Sequence, residues 1–130
     1  CLENILSKDS ELVIIEPGYA LSNNTVLKEN LKNFSNYKLI EEPFEYACKK
    51  LLWEKFDFIY VDGSHSQYNC YFDCIVCFDM LKFGGIMAID DYEWNLFDQD
   101  GTRPKEAVDK FLQNIDVKLL HKEYQVWITK

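Results

Sequence analysis

The segment from residue 56 to residue 91 constrains the fold more than any other part of the sequence. Phe56 to Val61 is an apolar run ended by Asp62-Gly63, the pattern of a buried strand stopped by turn residues. Gln67 to Leu81 has helical spacing and is followed by a glycine pair, and Gly85 to Ile89 is a second apolar run. We therefore predict a strand, a helix and a neighbouring strand of one parallel sheet.

The same alternation of strands and helices runs through the rest of the chain. Before that segment, apolar spacing and turn residues predict a strand at Leu12–Ile15, a helix at Thr25–Phe34 with caps in 22–24, a strand at Tyr37–Ile40 and a helix starting at Pro43. After it, they predict an irregular stretch at 92–103, a helix at Pro104–Gln113 and an antiparallel hairpin of strands at Val117–Leu120 and Gln125–Thr129. This order predicts a single α/β domain over residues 1–130, Rossmann-like and doubly wound, with a mainly parallel sheet.

Composition and charge exclude several classes of protein. The 130 residues are 48% hydrophobic, enough for one core, and the net charge of −8 with scattered Lys and Arg disfavours nucleic-acid binding. No apolar stretch is long enough for a membrane span, and no secretory signal is visible. We expect a cytoplasmic protein with no membrane partner, and the sequence leaves open whether it forms a homo-oligomer.

The cysteines predict a reduced protein. There are five, an odd number in apolar surroundings, which favours core thiols over a disulfide framework. Cys70, Cys74 and Cys77 have the CxxxCxxC spacing of iron-sulfur ligands in radical enzymes that use S-adenosylmethionine. Helical steps of four and three place these thiols on one helix face, whereas cluster ligands need a loop. We therefore reject an iron-sulfur cluster.

Acidic residues follow the predicted strands at the edge where ligands bind in this class of fold. Glu16 could accept hydrogen bonds from the hydroxyls of a nucleotide ribose, or it could be a solvated turn carboxylate. Asp62, Asp90 and Asp91 end two neighbouring strands and could converge on a hard divalent cation such as Mg²⁺. The alternative is that they are turn and capping residues.

Side chains near these carboxylates could take part in catalysis. His65 lies in the loop before the long helix and could accept a proton from a substrate hydroxyl, although a lone histidine is more often a cap or packing residue. The aromatic residues Tyr92, Trp94 and Phe97 could either wall an acceptor pocket or pack the loop.

A signalling receiver domain has a similar size, and Asp62 ends a middle strand like a phosphoacceptor. Receiver domains, however, carry their acidic pair on the first strand and a lysine after the last core strand. Here the pair Asp90-Asp91 comes late, and the strand at 86–89 leads to no such lysine. The order of these parts excludes a receiver domain.

The run FDFIYVDGSHSQYNCYFDCIVCFDMLKFGGIMAIDDYEW resembles class I S-adenosylmethionine-dependent methyltransferases, most closely the metal-dependent O-methyltransferase-like branch with DGxH and DDY signatures. The resemblance continues through RPKEAVDKF to the final hairpin. It implies that Glu16 holds the ribose and that Glu42, in Glu41-Glu42-Pro43, lies beside the adenine. It also implies that Asp62 and His65 serve both cofactor binding and catalysis, and that Asp62, Asp90 and Asp91 bind Mg²⁺ or another divalent cation.

The resemblance also implies a reaction. The methyl group of S-adenosylmethionine would pass to a hydroxyl oxygen of a small-molecule acceptor, with His65 assisting deprotonation and the cation lowering the hydroxyl pKa. The family's first strand and glycine-rich loop should precede Leu12, yet no GxGxG occurs there. We therefore expect an N-terminally truncated domain that lacks this strand. The alternative is a non-catalytic methyltransferase-like domain with an incomplete cofactor site.

Overall fold

The structure is a computed structural model that describes residues 9–18, 21–32, 34–94 and 103–130, with only the backbone described at 21–24. The chain divides into two compact units, Cys1–Leu51 and Leu52–Lys130. The expectation that both form a single domain stays a prediction.

The first unit contains a parallel pair of strands, β1 (Leu12–Ile15) and β2 (Tyr37–Ile40). Helix α1 (Leu21–Leu31) connects them, and α2 (Phe44–Ala47) follows β2. Both strands have the predicted bounds, because short apolar runs bounded by polar and turn residues define them in the sequence. The parallel pairing of β1 and β2 confirms the predicted strand, helix and strand in this part of the chain.

The two helices of this unit differ from their predicted bounds. Residues 22–24, predicted to cap α1, have helical backbone, and the helix ends at Leu31 rather than Phe34. Because Ser and Asn suit a cap and a first helical turn almost equally, composition alone did not locate the start. Helix α2 is one turn long and tightens into a 3₁₀ turn at Cys48–Lys50, so the helix predicted from Pro43 is shorter than its apolar spacing suggested.

The second unit is a four-stranded sheet with two helices. Its strand order is β3-β4-β6-β5, in which β3 and β4 are parallel and the other pairs are antiparallel. The predicted C-terminal hairpin, β5 and β6, is confirmed. The elements are β3 (Phe56–Val61), α3 (Gln67–Met80), β4 (Leu81–Ile89), α4 (Pro104–Asn114), β5 (Lys118–Lys122) and β6 (Val126–Thr129).

Strand β4 begins earlier than predicted. Leu81 pairs with Phe56, pairing is then interrupted, and it resumes where Ile86 pairs with Phe58. Gly84 has a positive φ of 79° within this interruption, a conformation that glycine adopts without steric cost. The Lys-Phe-Gly-Gly sequence therefore forms an irregularity inside the strand, where the sequence had indicated only a helix stop.

The core of the second unit lies between the helices and one face of the sheet. On α4, the buried residues Pro104, Ala107, Val108 and Phe111 recur at the three- and four-residue steps of an amphipathic helix. Phe111 is fully buried and meets Phe78 of α3 edge to face at 5.8 Å. Because aromatic side chains bury a large area, this contact fixes α4 against α3.

Helix α3 buries its three cysteines as free thiols. Their burial agrees with the predicted reduced core. Within the part of the chain that the structure describes, no helix has the length and apolar character needed to cross a membrane.

Candidate active site

The carboxyl ends of β3 and β4 lie side by side. Val61 pairs with Ile89, and the backbone N–H of Asp90 donates to the carbonyl of Val61 at 2.9 Å. This register places Asp62 and Asp90 directly after adjacent strand ends, as the sequence predicted. They border a small cleft, with about 10 Å³ of space, which is near the minimum needed to hold one water molecule. The cleft is lined by Val61, Asp62, Gly63, Ser64, His65, Cys70, Asp73, Ile89, Asp90, Asp91 and Pro104.

The loop between β3 and α3 is anchored at both of its ends. At its end, the Ser66 hydroxyl caps α3 by accepting from the backbone N–H of Asn69 at 3.3 Å. At its start, a Cβ added to Gly63 would lie 2.7 Å from Oδ2 of Asp73, a buried carboxylate on α3. Glycine fits beside this carboxylate without a clash, whereas a larger residue would require the Asp73 side chain to shift.

Asp91 has an unusual backbone and two polar partners. Its φ is 55°, in the left-handed region that is uncommon for a residue with a side chain. One carboxylate oxygen, Oδ2, lies 2.7 Å from Nε2 of His65, and the other accepts from the Tyr124 hydroxyl at 2.7 Å. The hydrogen bond to Asp91 raises the pKa of Tyr124, so this hydroxyl remains a donor at neutral pH.

The His65 imidazole is held on its edge and on its face. Asp91 bonds to Nε2 at its edge, and the Trp94 ring stacks on its face with the two centroids 4.0 Å apart and 5° between the planes. A carboxylate partner requires that Nε2 carry a proton, which leaves Nδ1 as the basic nitrogen of a neutral imidazole. In Ser-His-Asp triads a carboxylate also orients the histidine base, although there it bonds Nδ1 and leaves Nε2 as the base.

Asp90 also has its own set of donors. Its carboxylate accepts from the Tyr60 hydroxyl, from Gln125 Nε2 at 3.0 Å and from the backbone N–H of Asp91 at 2.9 Å. Partial burial opposes ionisation, but the hydrogen bonds from Tyr60 and Gln125 lower the pKa of Asp90 below its usual value. Burial and the Asp90 carboxylate raise the pKa of Tyr60 in turn. Asp90 is therefore an anion, and Tyr60 is its neutral donor.

The predicted metal ligands border the same cleft, and their oxygens suit a hard cation. In the ranges that the structure describes, no group of three or more His, Cys, Asp or Glu side chains is arranged to hold a metal ion. The oxygens of Asp90 and Asp91 are engaged by Tyr60, Gln125, Tyr124 and His65, so a cation would have to replace some of these donors. The metal site stays a prediction.

The predicted cofactor residues of the first unit follow the ends of its two strands. Glu16 continues the parallel pairing, since its N–H donates to the carbonyl of Ile40 at 3.1 Å. One of its carboxylate oxygens accepts from the N–H of Gly18 at 3.3 Å. Glu42, two residues beyond β2, forms a 2.6 Å ion pair with Lys50. Glu16 thus occupies the strand end that ribose binding requires, and its role and that of Glu42 remain predictions.

The aromatic residues after β4 have different surroundings. Tyr92 is 4% exposed and packs in the interior, so it does not wall an open pocket. Trp94 contacts the proposed base, and Phe97 lies outside the described residues. Tyr92 is therefore a packing residue rather than part of the wall of an acceptor pocket.

Sequence reasoning missed four residues that complete the site: Tyr60, Asp73, Tyr124 and Gln125. Period-two alternation along β3 could have placed Tyr60 on the same face as Asp62. The two residues of the hairpin turn could not have been found this way, because their positions depend on the antiparallel register of β6 against β4.

Solved structures with the same fold include several that are named methyltransferases. A protein from Corynebacterium glutamicum has a TM-score of 0.76 at 15% identity, over 99% of this chain and 64% of its own. An O-methyltransferase from Bacillus cereus in complex with S-adenosylhomocysteine (SAH) has a TM-score of 0.69 at 16% identity. The match covers 96% of this chain and 65% of the Bacillus cereus chain. The SAH-bound methyltransferase PaMTH1 from Podospora anserina has a TM-score of 0.64 at 26% identity. The match covers 92% of this chain and 60% of PaMTH1.

These likenesses confirm the predicted Rossmann-like α/β fold. The chain spans 64% and 65% of the lengths of the first two structures. No curated protein matches the sequence. The model of a methyltransferase domain family matches residues 3–92, which include both strand ends of the site, and the chain therefore belongs to the methyltransferase domain family.

Proposed function

We propose that this chain is an S-adenosylmethionine-dependent methyltransferase that methylates a hydroxyl oxygen of a small molecule. The observation that carries the proposal is the orientation of His65, with Asp91 at Nε2 and Trp94 on the ring face. Support for the cofactor comes from the family and from the solved structures of the Bacillus cereus and Podospora anserina enzymes, which contain SAH.

Each unit is proposed to supply its own part of the chemistry. Glu16 is proposed to accept hydrogen bonds from the ribose hydroxyls, with Glu42 beside the adenine. When bound, the cofactor supplies an electrophilic methyl group on a sulfonium. Nδ1 of His65 would accept the proton of the acceptor hydroxyl, whose oxygen receives the methyl group. Asp91 stabilises the imidazolium that forms.

A divalent cation on Asp62, Asp90 and Asp91 is part of the proposal. The three carboxylates follow adjacent strand ends and offer the oxygen ligands that Mg²⁺ prefers. A bound cation would supply a Lewis acid that lowers the pKa of the acceptor hydroxyl.

The test measures turnover by an assay that works for any acceptor. The protein is incubated with S-adenosylmethionine and a panel of phenols, catechols and sugars, and mass spectrometry measures S-adenosylhomocysteine and any product heavier by one methylene. Acceptor-dependent formation of both supports the proposal. Binding of S-adenosylhomocysteine without turnover on any acceptor would favour the alternative, a non-catalytic methyltransferase-like domain.

A further inference from the structure

Tyr92, the residue that follows the acidic pair, contacts two cations. The Tyr92 ring has the Nζ of Lys105 at 4.8 Å and the Nζ of Lys122 at 4.9 Å from its centroid. The ring is only 4% exposed, whereas the side chains of Lys105 and Lys122 are 55% and 34% exposed, so both cation–π contacts lie at the boundary between the interior and water.

A hydrogen-bond network closes around the Tyr92 hydroxyl. The hydroxyl donates to Oδ1 of Asp109 at 2.8 Å and accepts from Lys105 at 2.7 Å. Both lysines also donate to the Asp109 carboxylate, at 2.5 and 2.8 Å. We call Tyr92, Lys105, Asp109 and Lys122 the Tyr92 clamp. It joins the end of β4 to α4 and β5 through charged hydrogen bonds.

The Tyr92 clamp lies next to the strained residue of the site. Asp91 adopts its φ of 55° directly before Tyr92. The backbone on both sides is also tied, because the N–H of Tyr92 donates to the carbonyl of Tyr124 and the N–H of Trp94 donates to the carbonyl of Asp91, each at 2.9 Å. A left-handed conformation persists in a residue with a side chain only where the surroundings determine it.

We propose that the Tyr92 clamp is a positioning device that holds Asp91 in its left-handed conformation and thereby orients the His65 imidazole. Tyr92 and Lys105 are then positioning residues, which act through Asp91 and touch neither acceptor nor cofactor. Their role in methyl transfer rests on the proposed function, whereas their effect on the contact between His65 and Asp91 does not.

The experiment measures that contact directly. NMR follows the solvent exchange of the His65 Nε2 proton, which a carboxylate partner slows. The sequence contains two histidines, and His121 on the exposed strand β5 serves as an internal reference. The variants are Tyr92→Phe, which removes only the hydroxyl, and Lys105→Met, which replaces an exposed cation and so also tests the proposal should Tyr92→Phe not fold.

Lys110→Met is the matched control. Lys110 is an exposed lysine on the same helix and has its own cation–π contact, 5.2 Å from the Tyr71 centroid, outside the Tyr92 clamp. The same substitution at Lys110 therefore removes a comparable contact without touching Asp91 or Tyr92. Calorimetric titration with S-adenosylhomocysteine is performed on all variants.

We expect Tyr92→Phe and Lys105→Met to speed exchange of the His65 proton at least tenfold. Lys110→Met should leave the exchange rate within twofold of the parent. The affinity for S-adenosylhomocysteine should be unchanged in all three variants. A smaller change in the clamp variants, or an equal change in Lys110→Met, would overturn the proposal. If the parent protein binds no S-adenosylhomocysteine, the proposed function fails while the exchange rates still decide whether the clamp positions His65.

Discussion

Oδ2 of Asp91 lies 2.7 Å from Nε2 of His65, across the gap between the loop after β3 and the end of β4. The two residues are far apart in sequence and meet because parallel strands β3 and β4 are neighbours in register. The contact fixes which imidazole nitrogen is basic and so gives His65 a defined role.

Replacing His65 tests that role. We expect His65→Gln to lower the rate of methyl transfer about a hundredfold or more, the usual contribution of a general base. Steady-state formation of S-adenosylhomocysteine with a fixed acceptor measures the rate.

His121→Gln is the control for this substitution, since His121 is exposed on β5. Equal rates in His65→Gln and the parent protein would show that His65 is a packing residue.

Chelation tests the cation. If Asp62, Asp90 and Asp91 hold Mg²⁺, EDTA should lower the rate at least about tenfold, in line with the loss expected for a Lewis acid at the acceptor, and added Mg²⁺ should restore it. The double substitution Asp90→Asn with Asp91→Asn should abolish calorimetric Mg²⁺ binding. A rate that is indifferent to chelator, together with Mg²⁺ heats that are unchanged in the double variant, would remove the metal from the mechanism.

Stability at low pH should depend on Asp109. Partial burial opposes its ionisation, but hydrogen bonds from Lys105, Lys122 and Tyr92 lower the pKa of Asp109 to about 2. Because the folded pKa lies below the unfolded value of about 4, this stabilisation is complete above about pH 4 and is lost as the pH falls towards 2. With allowance for solvent screening we expect about 1 kcal/mol.

Urea denaturation of the parent protein and of Asp109→Asn from pH 2 to pH 7 measures this effect. The difference in free energy of unfolding should be constant above about pH 5 and shrink below about pH 4, where the aspartate of the unfolded chain becomes protonated before that of the folded protein. A difference that stays the same down to pH 2 would contradict the lowered pKa.

Because Gly63 and Asp73 lie so close together, we expect the effects of substitutions at these two positions on the free energy of unfolding to be coupled. Gly63→Ala places a Cβ 2.7 Å from Asp73 Oδ2, and such overpacking typically costs about 1–3 kcal/mol. Combining it with Asp73→Ala removes the clash, so the double variant should be less destabilised than the sum of the single variants. Denaturant unfolding measures all three. Strict additivity would show that the cost of Gly63→Ala does not arise from contact with Asp73.

Much of the fold could be predicted from local patterns. The bounds of β1, β2 and β3 follow from apolar runs with polar or turn residues at their ends, and the position of Asp62 and Asp90 at one edge follows from parallel pairing. The early start of β4 at Leu81 could not be predicted, because its irregular pairing with β3 is a tertiary feature.

The site was predictable only in part, for a similar reason. Carboxylates at strand ends can be read from the sequence, but their partners come from elements that are distant along the chain. Tyr124 and Gln125 reach Asp91 and Asp90 only through the register of β6 on β4. The left-handed backbone of Asp91 has no sequence signal beyond the tolerance of aspartate for that region.

The central claim, that this chain binds and uses S-adenosylmethionine, is tested most directly by calorimetric titration with S-adenosylhomocysteine. We predict saturable binding that weakens about tenfold or more in Glu16→Gln, which loses a charged hydrogen bond to the ribose. Glu11→Gln is the control, because Glu11 is exposed at the opposite end of β1 and should leave the affinity unchanged. No detectable heat at millimolar ligand, or equal affinity in the parent and Glu16→Gln, would contradict the account.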